Sequence, residues 1–275
     1  IYDYTKEVLE TLKAAGATPA FIQPGNEISY GMLWGAEDAP SSTLKKTLMG
    51  SDANWTRLGK LLSNAIRACR ETCPEAKIVL HTERVAQPDV LENFYRQMRK
   101  LDVDYDIIGL SYYPYFHGDM NVLDKALTGL QDSFPDKNIM IVETGYSYKW
   151  EVPGTTHDFS GKWEYSEAGQ DKFARDLVST LEKHSKVNGL FWWWMEYNAY
   201  GTSLSGWYNA PLFNSLDGRA TEALRTICTF AEGSGVDSPS EYGHAPRIWY
   251  DLNGYRIKDS TPGLRIGGGK KILVR

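Results

Sequence analysis

Apolar and polar positions along the chain change period repeatedly, from a helical repeat to short unbroken apolar runs and back. Val8, Leu9 and Leu12 share one face of a helix expected from about Tyr4 to Ala15, which Gly16 ends. The run Pro19-Ala20-Phe21-Ile22-Gln23 then reads as a buried strand closing on Gly25-Asn26-Glu27, and a long loop with Tyr30 and Trp34 follows to Asp52. Further helices are expected near 55–72, 90–101, 122–134 and 168–183, with a last one starting near Asp217. Between them lie the apolar runs 77–81, 106–111, 138–143 and 189–194. This alternation argues for an α/β fold with a parallel sheet. Five βα units are visible, each with polar or aromatic residues at the carboxy-terminal end of its strand, whereas a closed barrel needs eight. An isolated five-strand arc leaves buried edges unpaired. The expectation is therefore a (β/α)8 barrel of the TIM type, with only about the last five βα units present in this chain.

The pattern changes after Phe230. Residues 231–246, with Glu232-Gly233-Ser234-Gly235 and Ser238-Pro239-Ser240, have linker composition. Residues 247–275 offer Ile248-Trp249-Tyr250, an Asn253-Gly254 turn, Tyr255-Arg256-Ile257, Gly263-Leu264-Arg265-Ile266 and Lys271-Ile272-Leu273-Val274. Short strands with hairpin signals predict a small β-rich appendage beside the barrel segment 1–230.

Composition narrows the chemistry. A net charge of -5, with 30 basic residues and no long basic run, argues against a nucleic-acid partner. No apolar stretch approaches the roughly 18 residues needed to span a bilayer, and Ile1-Tyr2-Asp3-Tyr4 lacks a signal-peptide pattern. Cys69, Cys73 and Cys228 make no disulfide framework, and no His-rich set accompanies them, so neither zinc nor any other metal or cofactor is expected. Nine Trp and seventeen Tyr carry more information, because aromatic faces stack on the C–H faces of sugars. Most of these rings are expected to fill the core; those in loops are candidate platforms.

Glu27 and Glu143 each end a strongly apolar strand, where a carboxylate is otherwise an expensive choice. Retaining glycosidases need two carboxyl groups about 5–5.5 Å apart, one as nucleophile and one as acid then base. Only a fold that gathers strand ends brings two such distant residues together. Asn26 stands beside Glu27, placed to bond a sugar 2-hydroxyl, although Gly-Asn is also a common turn pair. His81, Tyr113 and His117 lie on or after other strands and could orient Glu143 or a sugar, while Trp34, Trp193 and Trp207 are candidate stacking platforms. Trp192 and Trp194 are expected to point away from Trp193. Glu83 is a third carboxylate near a strand end, ranked below the pair because it lies in an Arg-containing turn. There is no Gly-x-Ser-x-Gly elbow, His-Glu-x-x-His helix or phosphate-cradling loop.

Several separated motifs occur in one order: Gln23-Pro24-Gly25-Asn26-Glu27-Ile28, Gly31 with Leu33-Trp34, Asp106-Ile107-Ile108-Gly109-Leu110-Ser111-Tyr112-Tyr113-Pro114, and Val142-Glu143-Thr144-Gly145-Tyr146. Over about residues 1–230 they resemble the endo-β-1,4-galactanases, the arabinogalactan endo-β-1,4-galactosidases of glycoside hydrolase family 53. The resemblance implies that Glu27 ends barrel strand four as acid/base and Glu143 ends strand seven as nucleophile, cleaving pectic β-1,4-galactan with retention. The family's first three βα units have no counterpart here. Some relatives carry a calcium loop after strand seven; the stretch 153–159 keeps only its His, so that ion is not expected. The family's strand-eight Trp-Glu-Pro is here Trp193-Trp194-Met195. The last residues resemble short tails of secreted bacterial glycan-degrading proteins, which implies a secreted, cell-surface or periplasmic address. Two rival readings stay open: another glycanase of the same clan, acting on mannan, xylan or β-1,6-galactan, and a non-catalytic carbohydrate-binding barrel protein.

Overall fold

Three of the long helices start at side chains that accept a bond from an otherwise orphaned backbone N–H. Ser51 accepts from Asn54 N at 3.3 Å, Asp119 from Asn121 N at 3.0 Å, and Ser166 from Gly169 N at 3.1 Å. The structure is a computed structural model that describes all residues except 37, 39, 41, 42, 50, 198–208, 234–248, 251–255, 258–262, 268, 269 and 275. The helices are α1 (Tyr2–Ala14), α2 (Asp52–Thr72), α3 (Pro88–Lys100), a short α4 (Pro114–His117), α5 (Met120–Ser133), α6 (Glu167–Leu181) and α7 (Glu222–Gly233). The strands between them are β1 (Phe21–Ile22), β2 (Lys77–Thr82), β3 (Ile107–Tyr112), β4 (Asn138–Thr144) and β5 (Val187–Leu190). They pair in parallel, in chain order β1-β2-β3-β4-β5. Five adjacent βα units on one arc make a partial (β/α)8 barrel, as the alternation predicts.

Alternation sorts each strand's residues between two faces. Ile78, Leu80, Ile108, Leu110, Ile139 and Ile141 join the large core with Leu62, Phe94, Leu127 and Leu177 of the helices. The opposite, inner face holds the small cluster Val79, Ile107 and Met140, with Val142 against it. By strict alternation Glu143 belongs with Ile139 and Ile141 on the helix side. The register between β3 and β4 prevents this: Leu110 pairs with Ile141, but Ser111 pairs with Glu143, so one extra residue sits in β4. That bulge re-aims the Glu143 side chain.

Three expectations are corrected. The fifth strand stops at Leu190, where its pairing with β4 ends, rather than at Trp194, which lies in a turn with a left-handed backbone, φ 52°. Trp193 and Trp194 do not alternate; their rings stack at 3.9 Å. The last helix starts at Glu222, because Gly218 takes φ 71° and Phe213 bridges Ala220 in a turn ahead of it. The segment after β4 buries Tyr146, Tyr148, Val152 and Trp163. Tyr146 stacks on Tyr115 and Phe173 at 5.2 and 5.0 Å, so much of the aromatic content is core.

Among the described residues Cys69, Cys73 and Cys228 are free, and no helix is long and apolar enough to cross a membrane. Residues 236–275 form a second unit. Its strands β6 (Trp249–Tyr250), β7 (Arg256–Ile257), β8 (Gly263–Gly267) and β9 (Lys270–Val274) pair antiparallel in the order β7-β6-β8-β9. The expected linker (apart from its first three residues, which continue α7) and the Asn253-Gly254 turn lie outside the described residues.

Gly109 leaves the inner face room for its neighbours: a methyl there would stand 2.7 Å from Val79 Cγ1 and 3.3 Å from the Leu80 carbonyl. Gly109→Ala is expected to cost about 1–3 kcal/mol by overpacking, read as a lower urea midpoint at unchanged slope.

Candidate active site

The chain leaves β1 through Gln23-Pro24-Gly25-Asn26 and reaches Glu27 in an unusual conformation, φ 48° and ψ 53°. For a glutamate this left-handed backbone is strained. Gly25, at φ 96°, makes the approach possible; a Cβ there would meet Ile28 Cγ2 at 2.6 Å. The turn carries Glu27 over the end of β2 and β3 toward Glu143. One carboxylate oxygen of Glu27, one of Glu143 and a ring nitrogen of His81 lie within 4.8 Å of one another. Both carboxylates line a cavity of about 330 Å³ shared with Glu83, Tyr113, Phe116, His117 and Trp193.

The two carboxylates are held differently. Tyr113 OH donates to Glu143 Oε2 at 3.2 Å, and Ser111 Oγ donates to Glu27 Oε1 at 2.6 Å. Burial first, and the Glu27 charge second, push Glu143 up to about 7, while the Tyr113 bond favours its charged form. Like charges this close resist ionising together, so near neutral pH the pair holds a proton. Tyr113 itself is raised far above the usual phenol range by burial and by Glu143, and stays neutral.

Of the residues expected from sequence, Glu27, Glu143, Tyr113, His117 and Trp193 line one cavity. His117 Nδ1 accepts from Tyr113 N at 3.0 Å, and burial lowers the ring to about 4, leaving it neutral. Trp193 is half-buried, with one face covered by Trp194. Asn26 is exposed, its Oδ1 3.1 Å from His81 Nδ1. His81 requires a correction: at 1% exposure, bonded through Nε2 to Ser111 Oγ at 2.8 Å, it has no surface to offer a sugar. Trp34 is exposed but not part of the cavity wall; its Nε1 donates to the Gly31 carbonyl, and the Lys46 ammonium sits 4.3 Å over its ring. Trp207 lies outside the described residues.

Two residues were under-read. Ser111 is legible in the sequence only as part of a strand, because its contacts with His81 and Glu27 span 30 and 84 positions. Glu83 stands in the cavity wall rather than outside it. Its Oε1 accepts from Ser29 Oγ and pairs with Arg84 at 2.8 Å, and the Arg84 guanidinium lies 4.4 Å over the Tyr30 ring. Burial pushes Glu83 up, against the pull of Ser29 and Arg84.

The profile of glycosyl hydrolase family 53 matches residues 1–227. An uncharacterised protein of Niallia circulans is 33% identical over 70% of this chain and 54% of its own length. The arabinogalactan endo-beta-1,4-galactanase of Cellvibrio japonicus is 31% identical over 84% of this chain and 61% of its own length. The solved family 53 catalytic domain of Ignisphaera aggregans superposes with a TM-score of 0.68 at 31% identity, covering 82% of this chain and 63% of that one. The chain thus spans little more than half the length of the curated relatives it matches.

Glu143 titrates near 7 in the fold, above its ordinary carboxylate value of 4.5. Folding therefore takes up a proton between these values. The stability this contributes is present below about pH 4.5 and is lost as pH rises through about 7. Glu143→Gln is expected to stabilise the protein by about 1 kcal/mol at pH 8, discounted for the partly exposed group, and by little at pH 4.5. Thermal unfolding at the two pH values checks the sign.

Proposed function

Since the chain belongs to glycosyl hydrolase family 53, we propose that it is part of a retaining endo-β-1,4-galactanase in which Glu143 is the nucleophile and Glu27 the acid/base. The observation that carries this reading is the approach of the two carboxylates to within 4.8 Å in one cavity. That separation suits direct attack on the sugar; an inverting pair stands about 6.5–9.5 Å apart to admit a water between carboxylate and sugar.

In the first step Glu143 attacks the anomeric carbon, the glycosidic C–O bond breaks, and Glu27 delivers its proton to the departing oxygen. In the second, Glu27 takes a proton from water, the water oxygen attacks the same carbon, and Glu143 is released with configuration retained. The proton held by the pair must stand on Glu27 at the moment of departure. The Tyr113 hydroxyl supports this by stabilising charge on Glu143. Asn26 is assigned to the 2-hydroxyl, Trp193 to stacking at the cavity wall, and His117 and Tyr113 to the floor; Trp34 would act further along a polymer. The substrate is assigned from the galactanases among the relatives. A polymeric substrate is met outside the cell membrane, and with the tail resemblance this supports a secreted or cell-surface address in a bacterium.

Glu143→Ala is expected to abolish turnover, with azide restoring part of the rate by taking the nucleophile's place. Glu27→Ala should lower kcat/KM by about 10²–10⁴-fold on galactan and far less on aryl glycosides whose leaving groups need no proton. Product analysis on purified galactan, mannan, xylan and β-1,6-galactan checks the substrate: turnover of mannan without galactan would refute the assignment, and binding of galacto-oligosaccharides without cleavage would favour a non-catalytic barrel.

A further inference from the structure

We propose that Ser111 and His81 are positioning residues for Glu27, forming a directed hydrogen-bond chain that keeps the transferable proton on the carboxylate oxygen facing the cavity. The inference rests on the reading of Glu27 as acid/base.

Both residues are sealed from water, Ser111 at 0% and His81 at 1% exposure, so their polar atoms must find partners inside the protein. A serine hydroxyl has one hydrogen. Having given it to Glu27 Oε1 at 2.6 Å, Ser111 can only accept from His81 Nε2 at 2.8 Å, which places the imidazole hydrogen on Nε2. His81 Nδ1 then carries a lone pair, and two donors face it: Gln23 Nε2 at 3.0 Å and the backbone N–H of Glu27 itself at 3.4 Å. The chain runs Gln23 to His81 to Ser111 to Glu27, and loops back on the residue it serves.

The opposite direction has one partner to offer. With the proton on Glu27 Oε1, Glu27 would donate to Ser111, Ser111 to His81 Nε2, and Nδ1–H to Asn26 Oδ1 at 3.1 Å. That arrangement takes the His81 acceptor away from Gln23 Nε2 and Glu27 N, and it aims the acid proton at Ser111, where no glycosidic oxygen can be. Two donors against one acceptor favour the forward direction. Burial lowers His81 to about 4, so the ring remains neutral and able to accept at Nδ1 at the pH of an ordinary assay. Oε1 is thus held as an acceptor in either ionisation state of Glu27. Oε2, the oxygen left to the cavity, is where the proton must reside.

The chain depends on local geometry already described. Ser111 stands at the register shift between β3 and β4 and pairs with Glu143, and His81 pairs with Gly109 across β2 and β3. The same step of the sheet that aims the nucleophile also carries the group that aims the acid.

The test compares kcat/KM, which reports the first glycosidic step, on β-1,4-galactan and on a 2,4-dinitrophenyl β-galactobioside. Ser111→Ala is expected to lose about 30–100-fold on galactan, part of the roughly 10²–10⁴-fold that general-acid catalysis contributes, and less than about 3-fold on the aryl substrate. Ser111→Thr, which keeps the hydroxyl, should recover most of the loss, and His81→Leu should repeat the Ser111→Ala pattern. Should Ser111→Ala fail to fold, Ser111→Cys, with its weaker donor, carries the same comparison. Equal losses on both substrates, or none on galactan, overturn the proposal while leaving the catalytic assignment standing. If Glu143→Ala and Glu27→Ala turn over galactan as the parent protein does, the acid/base reading itself is wrong.

Discussion

Parallel pairing is the constraint on which everything else in this chain rests. Strands that all run the same way put all their carboxy-terminal ends on one rim, so residues far apart in sequence become neighbours without any direct contact between the segments that carry them. The rim is costly to decorate with charge, because it borders a core whose side chains are almost wholly buried. Here the decoration comes in a concentrated form: two carboxylates within 4.8 Å, a neutral histidine behind them, and a phenol and a serine each donating one bond. The repulsion between the carboxylates is tolerated because the sheet, with the large core packed behind it, fixes their separation.

Much of this arrangement was legible beforehand, and the reason differs between elements. α2, α3, α5 and α6 carry long apolar stripes, and α2, α5 and α6 also start at capping side chains, so periodicity locates them to within a few residues. Glu27 and Glu143 stand out because a charged residue follows an apolar run, a local signal. β5 and α7 differ from the expected bounds because the ladder with β4 ends at Leu190 and because a turn with Gly218 at φ 71° precedes Glu222. The aromatic residues after β4 join the core because Tyr146 and Trp163 pack on each other and on Phe173, with Tyr115 stacked on Tyr146, and no local pattern announces these contacts between segments.

The site was legible in its charges and not in its supports. No pattern in Asp106 to Tyr112 distinguishes Ser111 as a hydrogen-bond donor to Glu27, because that contact spans 84 positions and depends on the register of β3 against β4. His81 was assigned to the sugar for the same reason: a histidine at a strand end reads alike whether it faces the cavity or lies under it. Its 1% exposure and its four polar neighbours, Gln23, Asn26, the Glu27 backbone and Ser111, place it underneath.

The left-handed backbone of Glu27 has an evolutionary consequence. Conformational strain at a single non-glycine position costs on the order of 1–3 kcal/mol, and glycine or asparagine at residue 27 would relieve much of it. Mutational drift at this position therefore runs downhill in folding energy and away from chemistry. Lineages in which nothing holds a carboxylate at residue 27 should accumulate small residues there first, gaining folding stability as they lose the charge.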